Sequence, residues 1–571
     1  MSQQSTMYKS PEKIALKDEL RDLKDRGEAP EWMTWISYQK LKGGYLLKGE
    51  TPRAMYERVS SAAAGYLPEA QSAKWEKKFF ELFWKNWLAG STPVLGNLGT
   101  DRGMAVSCSA QYCGDTLEEI LSNTFESGML SKYGFGTAIH LDLRDGYSEI
   151  STGGRSNNVK DWIEQNWFVQ NKVTQSNLRR GSTAQYINFW HGDLLEILPM
   201  LETHDRLHIG VICDDSVKEA LKAGDEDAWV RYRAILTWRA RKGKPYIIFI
   251  DNAKRQDPEC YKARGLSSKH SNLCTEIFLH TDSDHTLSCV LSSMNCVKFD
   301  EWKDTDAVET AIVFLDCVAE DLIQRGRGKR GLEKVVKHTE KGRALGLGLL
   351  GFHTYLQNKM IPLDSIAARS YNEIIFKTLK EKAEKATKML AQWLGEPEWC
   401  QGSGRRNTHL LAIAPNTSSA LIAGSVSQGI EPNVANVFTQ KVAKGTIDRI
   451  NPSLLKLLRE KGQYNEEVIN SIAYNKGSCA HLPFLSDDDK DVFKTAYEIN
   501  QKVLIDLANQ RQKYICQGQS LNLFFADDEE ESWVHEVHKY AFEQDLLKSL
   551  YYVRTMPGIT ADKSDCVMCE G

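Results

Sequence analysis

Two spacings of apolar residues alternate along this chain. Runs such as "RLHIGVICDD" and "KPYIIFIDNA" are short, nearly continuous in apolar residues and bounded by charge, which predicts buried strands. Between them lie longer stretches of helical period, such as "DSIAARSYNEIIFKTLKEKAEKATKMLAQWL". Strands covered on both faces by helices indicate an α/β domain. The N-terminal part differs: "SPEKIALKDELRDLKDR" is amphipathic, and "TPRAMYERVSSAAAGYL" offers Thr51 as an N-cap with Pro52 at the first helical position. After Tyr552 the periodicity stops. The expected organisation is a helical region over 1–90, an α/β domain over 91–552 and a mobile tail over 553–571. No repeat of 20 to 50 residues is visible.

Composition narrows the function classes. With 571 residues and 42% hydrophobic content the chain can bury a large core, and a net charge of -4 gives no global field for nucleic acid. No run reaches the roughly 18 to 20 apolar residues of a membrane span, and the start has no signal-peptide core. A cytoplasmic protein is expected. Thirteen cysteines are too sparse for a secreted disulfide framework, and the odd number leaves at least one thiol unpaired within the chain.

Several segments carry candidate chemistry. On a regular strand, "SNLCTEIFL" would turn Asn272, Cys274 and Glu276 to one face; from this segment alone, a buried cysteine beside polar edge residues is the commoner outcome. Cys289 sits in "TLSCVLSSMNC", compatible with a further buried strand, and Cys108 in "RGMAVSCSAQYCGD" beside Cys113. "APNTSSALIAG" puts Asn416, Thr417, Ser418 and Ser419 before an apolar run, an arrangement that suits either an anion or a simple helix cap. "GLGLLG" matches a dinucleotide fingerprint, but the preceding "EKVVKHTEKGRAL" is helix-like where a strand is required, so close packing of small residues is the better reading. The chain ends "DKSDCVMCEG", whose Cys566 and Cys569 form a CxxC with no second ligand pair for structural zinc.

Together "SNLCTEI", "RALGLGLLGFHTYL", "APNTSSALIAGSVSQGIEP", "SLYYVRT" and the tail cysteines make the chain resemble the large catalytic subunit of class I ribonucleotide reductases, from "YLLKGETPRAMYERV" to the last residues. The form is short, of a viral or phage type. The resemblance implies a ten-stranded α/β barrel of two five-stranded halves around a central finger loop, preceded by the helical region. It implies that Cys274 becomes the thiyl radical, Glu276 takes the 3′-hydroxyl proton and Asn272 orients the ribose. Cys108, rather than Cys113, and Cys289 match the pair that is oxidised to a disulfide in each turnover. Thr92, Ser107 and Asn416 to Ser419 match substrate-binding positions for a ribonucleoside di- or triphosphate.

Tyr551 and Tyr552 match the relay that brings a radical from a metal-containing, ferritin-like small subunit. Cys566 and Cys569 match the tail that re-reduces the buried pair and is itself reduced by thioredoxin or glutaredoxin. The tail spans at most about 45 Å from Val553 to Cys566, and the family usually spaces these cysteines more widely. Asp115 matches an effector-binding acid and Arg179 a substrate-reading arginine, with Arg180 where the family usually has glycine. ATP or deoxynucleotide effectors, with magnesium, and an effector-dependent homodimer are expected partners. The usual N-terminal ATP-cone of about 90 residues and a glycyl-radical signature are both missing from the pattern. The competing readings are an adenosylcobalamin-dependent reductase and an inactive nucleotide-binding homologue.

Overall fold

The computed structural model describes residues 11–173, 181–442 and 445–556. Helices open the chain: Pro11–Asp25, Trp35–Lys42, Pro52–Ala64 and Glu69–Trp84. Thr51 caps the third as its spacing predicts, its Oγ1 accepting from Ala54 N at 3.2 Å with Pro52 next in line. These helices bury one face against the α/β part of the chain: Phe79 and Phe83 each meet Phe314 edge-on at 5.3 Å. Phe314 lies in Ala307–Gly326, a helix buried almost all round, and the helix predicted near 364–394 runs from Ile366 to Leu394 against it.

The strands are β1 (Leu88–Gly90), β2 (Cys108–Cys113), β3 (Gly136–Leu141), β4 (Thr183–Asn188), β5 (Leu207–Cys213), β6 (Tyr246–Phe249), β7 (Leu287–Ser288), β8 (Leu291–Asn295), β9 (Gly346–Leu350), β10 (Val437–Val442), β11 (Gly445–Ile450), β12 (Leu523–Phe525), β13 (Ser549–Leu550) and β14 (Val553–Thr555). β2 to β6 pair successively and in parallel, with side chains buried on both faces as the apolar runs require. β7 adds antiparallel to β2, and β13 antiparallel to β6.

Backbone hydrogen bonds then carry the sheet round into a cylinder. Beyond β7, Cys289 N donates to Cys108 O, and Val290 O accepts from Gly346 N at the start of β9. β9 pairs with β8 and bridges at Leu347 to Leu411; Ile413 bridges to Gln519, and Leu521 O accepts from Tyr551 N just after β13. Since β13 lies on β6, the circuit closes on the parallel half. This is the expected barrel, with the buried stretch Ser271–Leu279 running inside it.

Three local expectations change, and the close-packing reading of "GLGLLG" holds. "SNLCTEIFL" is a tight loop rather than a strand, with Thr275 in the left-handed region at φ 66°. "TLSCVLSSMNC" splits at Cys289 and Val290 into β7 and β8. "GLGLL" is itself strand β9, preceded by the helix Glu333–Gly342; a Cβ on Gly348 would lie 2.8 Å from both Ala412 O and Ser293 Oγ, so the glycine serves close strand packing. Regular structure also continues past Tyr552, because β14 pairs in parallel with β12. Cys566 and Cys569 lie outside the described residues.

Candidate active site

The loop from Ser271 to Leu279 is held by its own side chains. Asn272 Oδ1 accepts from Glu276 N and Ile277 N, both at 3.1 Å, and Ser271 Oγ donates to Ile277 O at 2.8 Å. Asn272 thus caps the turn that Thr275 makes possible. From outside the loop, Tyr186 Oη on β4 donates to Asn272 O at 2.5 Å, Ser520 Oγ to Cys274 O at 2.6 Å and Ser549 Oγ to Thr275 O at 2.9 Å. The loop is therefore fixed from three sides of the barrel.

Around it the structure gathers residues scattered through the sequence. Cys108, Cys274, Cys289, Tyr186, Tyr246, Tyr551 and Tyr552 all fall in one buried apolar cluster. Cys108 at the start of β2 is opposite Cys289: the antiparallel register pairs Ser109 with Ser288, Cys289 N donates to Cys108 O at 2.8 Å, and both side chains lie in the same buried cluster. Directly opposed antiparallel residues have the Cα separation that a disulfide needs. Burial, then the neighbouring Cys108, push the Cys289 thiol well above its ordinary range. Cys113, at the other end of β2, is not in this cluster.

Glu276 is fully buried. Asn272 Nδ2 donates to its Oε1 at 3.0 Å and Ser520 Oγ reaches its Oε2 at 3.2 Å. Burial, followed by the charge of Cys108, raises the carboxyl to about 8 despite these hydrogen bonds. A carboxyl in that range can hold or accept a proton near neutral pH, as a general acid or base must.

Of the substrate-matched residues, Thr92 and Asn416 to Ser419 lie together, beside β1 and β8. Asn416 stands in the left-handed region at φ 62° and starts the helix Thr417–Ile422; its Oδ1 accepts from Ser293 Oγ on β8 at 3.1 Å. Ser419 Oγ donates to Gly90 O at 3.1 Å, which ties this turn to the end of β1 and hence to Thr92. Thr92 Oγ1 shares a 2.7 Å hydrogen bond with Tyr45 Oη, and Thr417 Oγ1 donates to Gln428 at 3.0 Å. Ser418 Oγ is buried without a protein partner. Ser107 is buried one residue before Cys108, its N–H on Cys289 O.

Tyr551 and Tyr552 lie between β13 and β14, with ring centroids 4.3 Å apart and ring planes tilted 59° to each other. Sequence reasoning missed two companions. Tyr246 lies 4.7 Å from the Tyr551 ring and 5.2 Å from that of Tyr552. His208 Nδ1 lies 2.9 Å from Tyr246 Oη and 3.2 Å from Tyr552 Oη. Both sit in the apolar runs read as plain strands, where a histidine in "RLHIGVICDD" was the available signal.

Asp115 is outside the cluster, on the barrel exterior ahead of the helix Leu117–Lys132, and pairs with Arg144 at 2.6 Å. Arg179 and Arg180 lie outside the described residues. Among the described residues, no helix is long and apolar enough to cross a membrane.

Comparison with known proteins agrees with this geometry. The family model described as "Ribonucleotide reductase, barrel domain" matches residues 106–230, 228–403 and 384–553, and "Ribonucleotide reductase, all-alpha domain" matches 32–103. The putative ribonucleoside-diphosphate reductase large subunit of Frog virus 3 is 35% identical over 555 residues, covering 91% of this chain and 95% of the relative. That of Danio rerio is 26% identical over 611 residues, 92% of this chain and 76% of the relative. The solved structure of the Actinobacillus ureae class Id ribonucleotide reductase alpha subunit superposes with a TM-score of 0.84 at 38% identity, over 92% of this chain and 98% of that one. With its barrel and helical region both matched and its buried cysteines drawn together, this chain belongs to the ribonucleotide reductase large-subunit family.

Proposed function

We propose that this catalytic subunit reduces ribonucleoside diphosphates with Cys274 as the hydrogen-abstracting radical. The observation that carries the reading is the convergence of Cys274, Glu276 and the opposed Cys108 and Cys289 in one buried site. The Cys274 thiyl takes hydrogen from ribose C3′, and the Glu276 carboxylate takes the 3′-hydroxyl proton. The 2′-hydroxyl leaves as water with one thiol proton of the Cys108/Cys289 pair, the other thiol hydrogen passes to C2′ as the pair supplies two electrons and becomes a disulfide, and Glu276 returns its proton to the 3′-oxygen. Cys274 then returns its hydrogen to C3′. Burial shields the radical from solvent throughout.

Asn272 holds Glu276, and Thr92, Ser107 and Asn416 to Ser419 bind the nucleotide. The names of the curated relatives support diphosphates over triphosphates. Tyr552 and Tyr551 relay the radical from a metal-containing small subunit. The close ring contact of Tyr551 with Tyr552, and the tie from Ser549 to Thr275, support a compact path for the relay toward Cys274. His208 is placed to take the phenolic proton of Tyr552 as that ring is oxidised. Cys566 and Cys569 re-reduce Cys108 and Cys289 and are reduced in turn by thioredoxin or glutaredoxin. Asp115 and Arg179 belong to the effector site. The exposed stripe Leu117, Leu121 and Phe125 beside Asp115 suits a homodimer interface there. The eleven free thiols of the described residues suit the cytoplasm.

The test is deoxynucleotide formation by the purified chain with a class I small subunit or with adenosylcobalamin, on diphosphates and on triphosphates. Turnover of diphosphates with the small subunit alone is expected. Turnover with adenosylcobalamin and no second protein would overturn the relay.

A further inference from the structure

We propose that Cys260 and Cys400 are a second oxidisable dithiol, separate from the catalytic pair, which closes to a disulfide when the protein meets a peroxide. Cys260 lies in the helix Glu259–Lys262, and Cys400 ends the 3-10 turn Glu398–Cys400. Their side chains pack together in one small buried cluster, as those of Cys108 and Cys289 do in the barrel. The catalytic reading uses neither residue, and neither belongs to the barrel cluster; they form their own with Tyr261 and Trp399.

Three features favour bond formation here. The backbones on both sides are already clamped: Arg264 donates to Cys260 O at 3.2 Å, Glu398 O at 3.1 Å and Gln401 O at 2.5 Å. The Tyr261 and Trp399 rings, next in sequence to the two cysteines, meet edge-on at 5.9 Å. The two cysteines are thus held in one small buried cluster by contacts on both backbones. Access is the second feature, since Cys260 lines a cavity of about 630 Å³ together with Arg264 and Arg405. The third is reactivity. The hydrogen bond from Cys400, aided by Arg405 and Arg264 against the cost of burial, holds Cys260 down to about 7, whereas the same hydrogen bond and burial push Cys400 up. Cys260, which lines the cavity beside Arg264 and Arg405 where Cys400 does not, is then the nucleophile and Cys400 the resolving thiol.

The chemistry balances with peroxide as oxidant. The Cys260 thiolate attacks one peroxide oxygen, the O–O bond breaks, and hydroxide leaves to be protonated by solvent. Cys400, releasing its proton to solvent, attacks the resulting sulfenic sulfur; the S–S bond forms as the S–O bond breaks, and the second hydroxide leaves as water. Two thiols and one peroxide give one disulfide and two waters. The bond would tie the turn at Cys400 to the root of the loop bearing Cys274. Asp257, just before this helix, already receives Ser268 N at 3.1 Å and Ser268 Oγ at 2.7 Å at the start of that segment.

The test treats the fully reduced, full-length chain with increasing hydrogen peroxide. Free thiols are then blocked with iodoacetamide and the peptides mapped by mass spectrometry. At the first dose where any cysteine of the chain is oxidised to a disulfide, the Cys260–Cys400 linked peptide is expected among the products, and Cys260→Ser should leave Cys400 fully alkylated. Recovery of both residues as alkylated thiols at that dose, or their oxidation only to unlinked sulfinic and sulfonic acids, would overturn the proposal. The wild-type map decides this even where the variant fails to fold.

Discussion

Replacing Glu276 by Gln separates the catalytic use of the carboxyl from its effect on stability. The side chain is fully buried and its carboxyl is raised from 4.5 to about 8, first by burial and then by Cys108. At about 1.4 kcal/mol per pH unit, ionising it inside the protein costs on the order of 5 kcal/mol more than in water. At pH 7 roughly one molecule in ten of the free enzyme carries the carboxylate. If that carboxylate is the base, wild-type kcat/KM rises with pH and levels off above about 8. The Gln variant keeps the size of the side chain and an acceptor for Asn272 Nδ2 but cannot take a proton. Its activity should fall by about 10²- to 10⁴-fold, and the residual rate should lose this rise.

Stability should move the other way. Below pH 4.5 both folded and unfolded wild-type chains hold the proton. Between 4.5 and about 8 only the unfolded chain has released it, so this residue's contribution falls as pH rises and is flat above. Denaturant unfolding should therefore show the variant gaining on wild type from pH 5 to pH 8, with about 5 kcal/mol as the upper bound. A variant that keeps turnover, or a stability difference independent of pH over this range, would refute the reasoning.

Three further outcomes follow from the site. Tyr551→Phe and Tyr552→Phe should each abolish multiple turnover while nucleotide binding, read by calorimetry, stays unchanged. His208→Leu should lower kcat at least about tenfold with KM unchanged, and His208→Asn, which keeps an acceptor near Nδ1, should recover part of the loss; equal rates for both variants would remove His208 from the relay. Truncation after Asp565 should leave a single turnover per chain and stop cycling with thioredoxin, and undiminished cycling would rule out the tail shuttle.

Much of the scaffold is legible from residue spacing because its causes are local. Apolar continuity marks β5 and β6, helical period marks Ile366–Leu394, and the Thr51–Pro52 pair marks a helix start. The loop at Cys274 is not legible in this way. Its alternation imitates a strand, and what bends it is Thr275 at positive φ with Asn272 capping two amides, a pairing that spacing does not reveal. The opposition of Cys108 and Cys289 depends on a register between distant segments, so residue patterns alone left it open and the family resemblance supplied it. Tyr246 and His208 were hidden for the opposite reason: in a buried parallel strand every position looks like core. The second thiol pair is likewise invisible in sequence, since Cys260 and Cys400 meet only through the packing of a short helix on a 3-10 turn.

The central claim is that Cys274 carries the radical. Cys274→Ser in the full-length chain, assayed with its small subunit on a diphosphate substrate, keeps the loop's hydrogen bonds through its backbone but has no S–H bond to convert to a thiyl. The account predicts no detectable deoxynucleotide with substrate affinity within about twofold of wild type; sustained deoxynucleotide formation by this variant would contradict it.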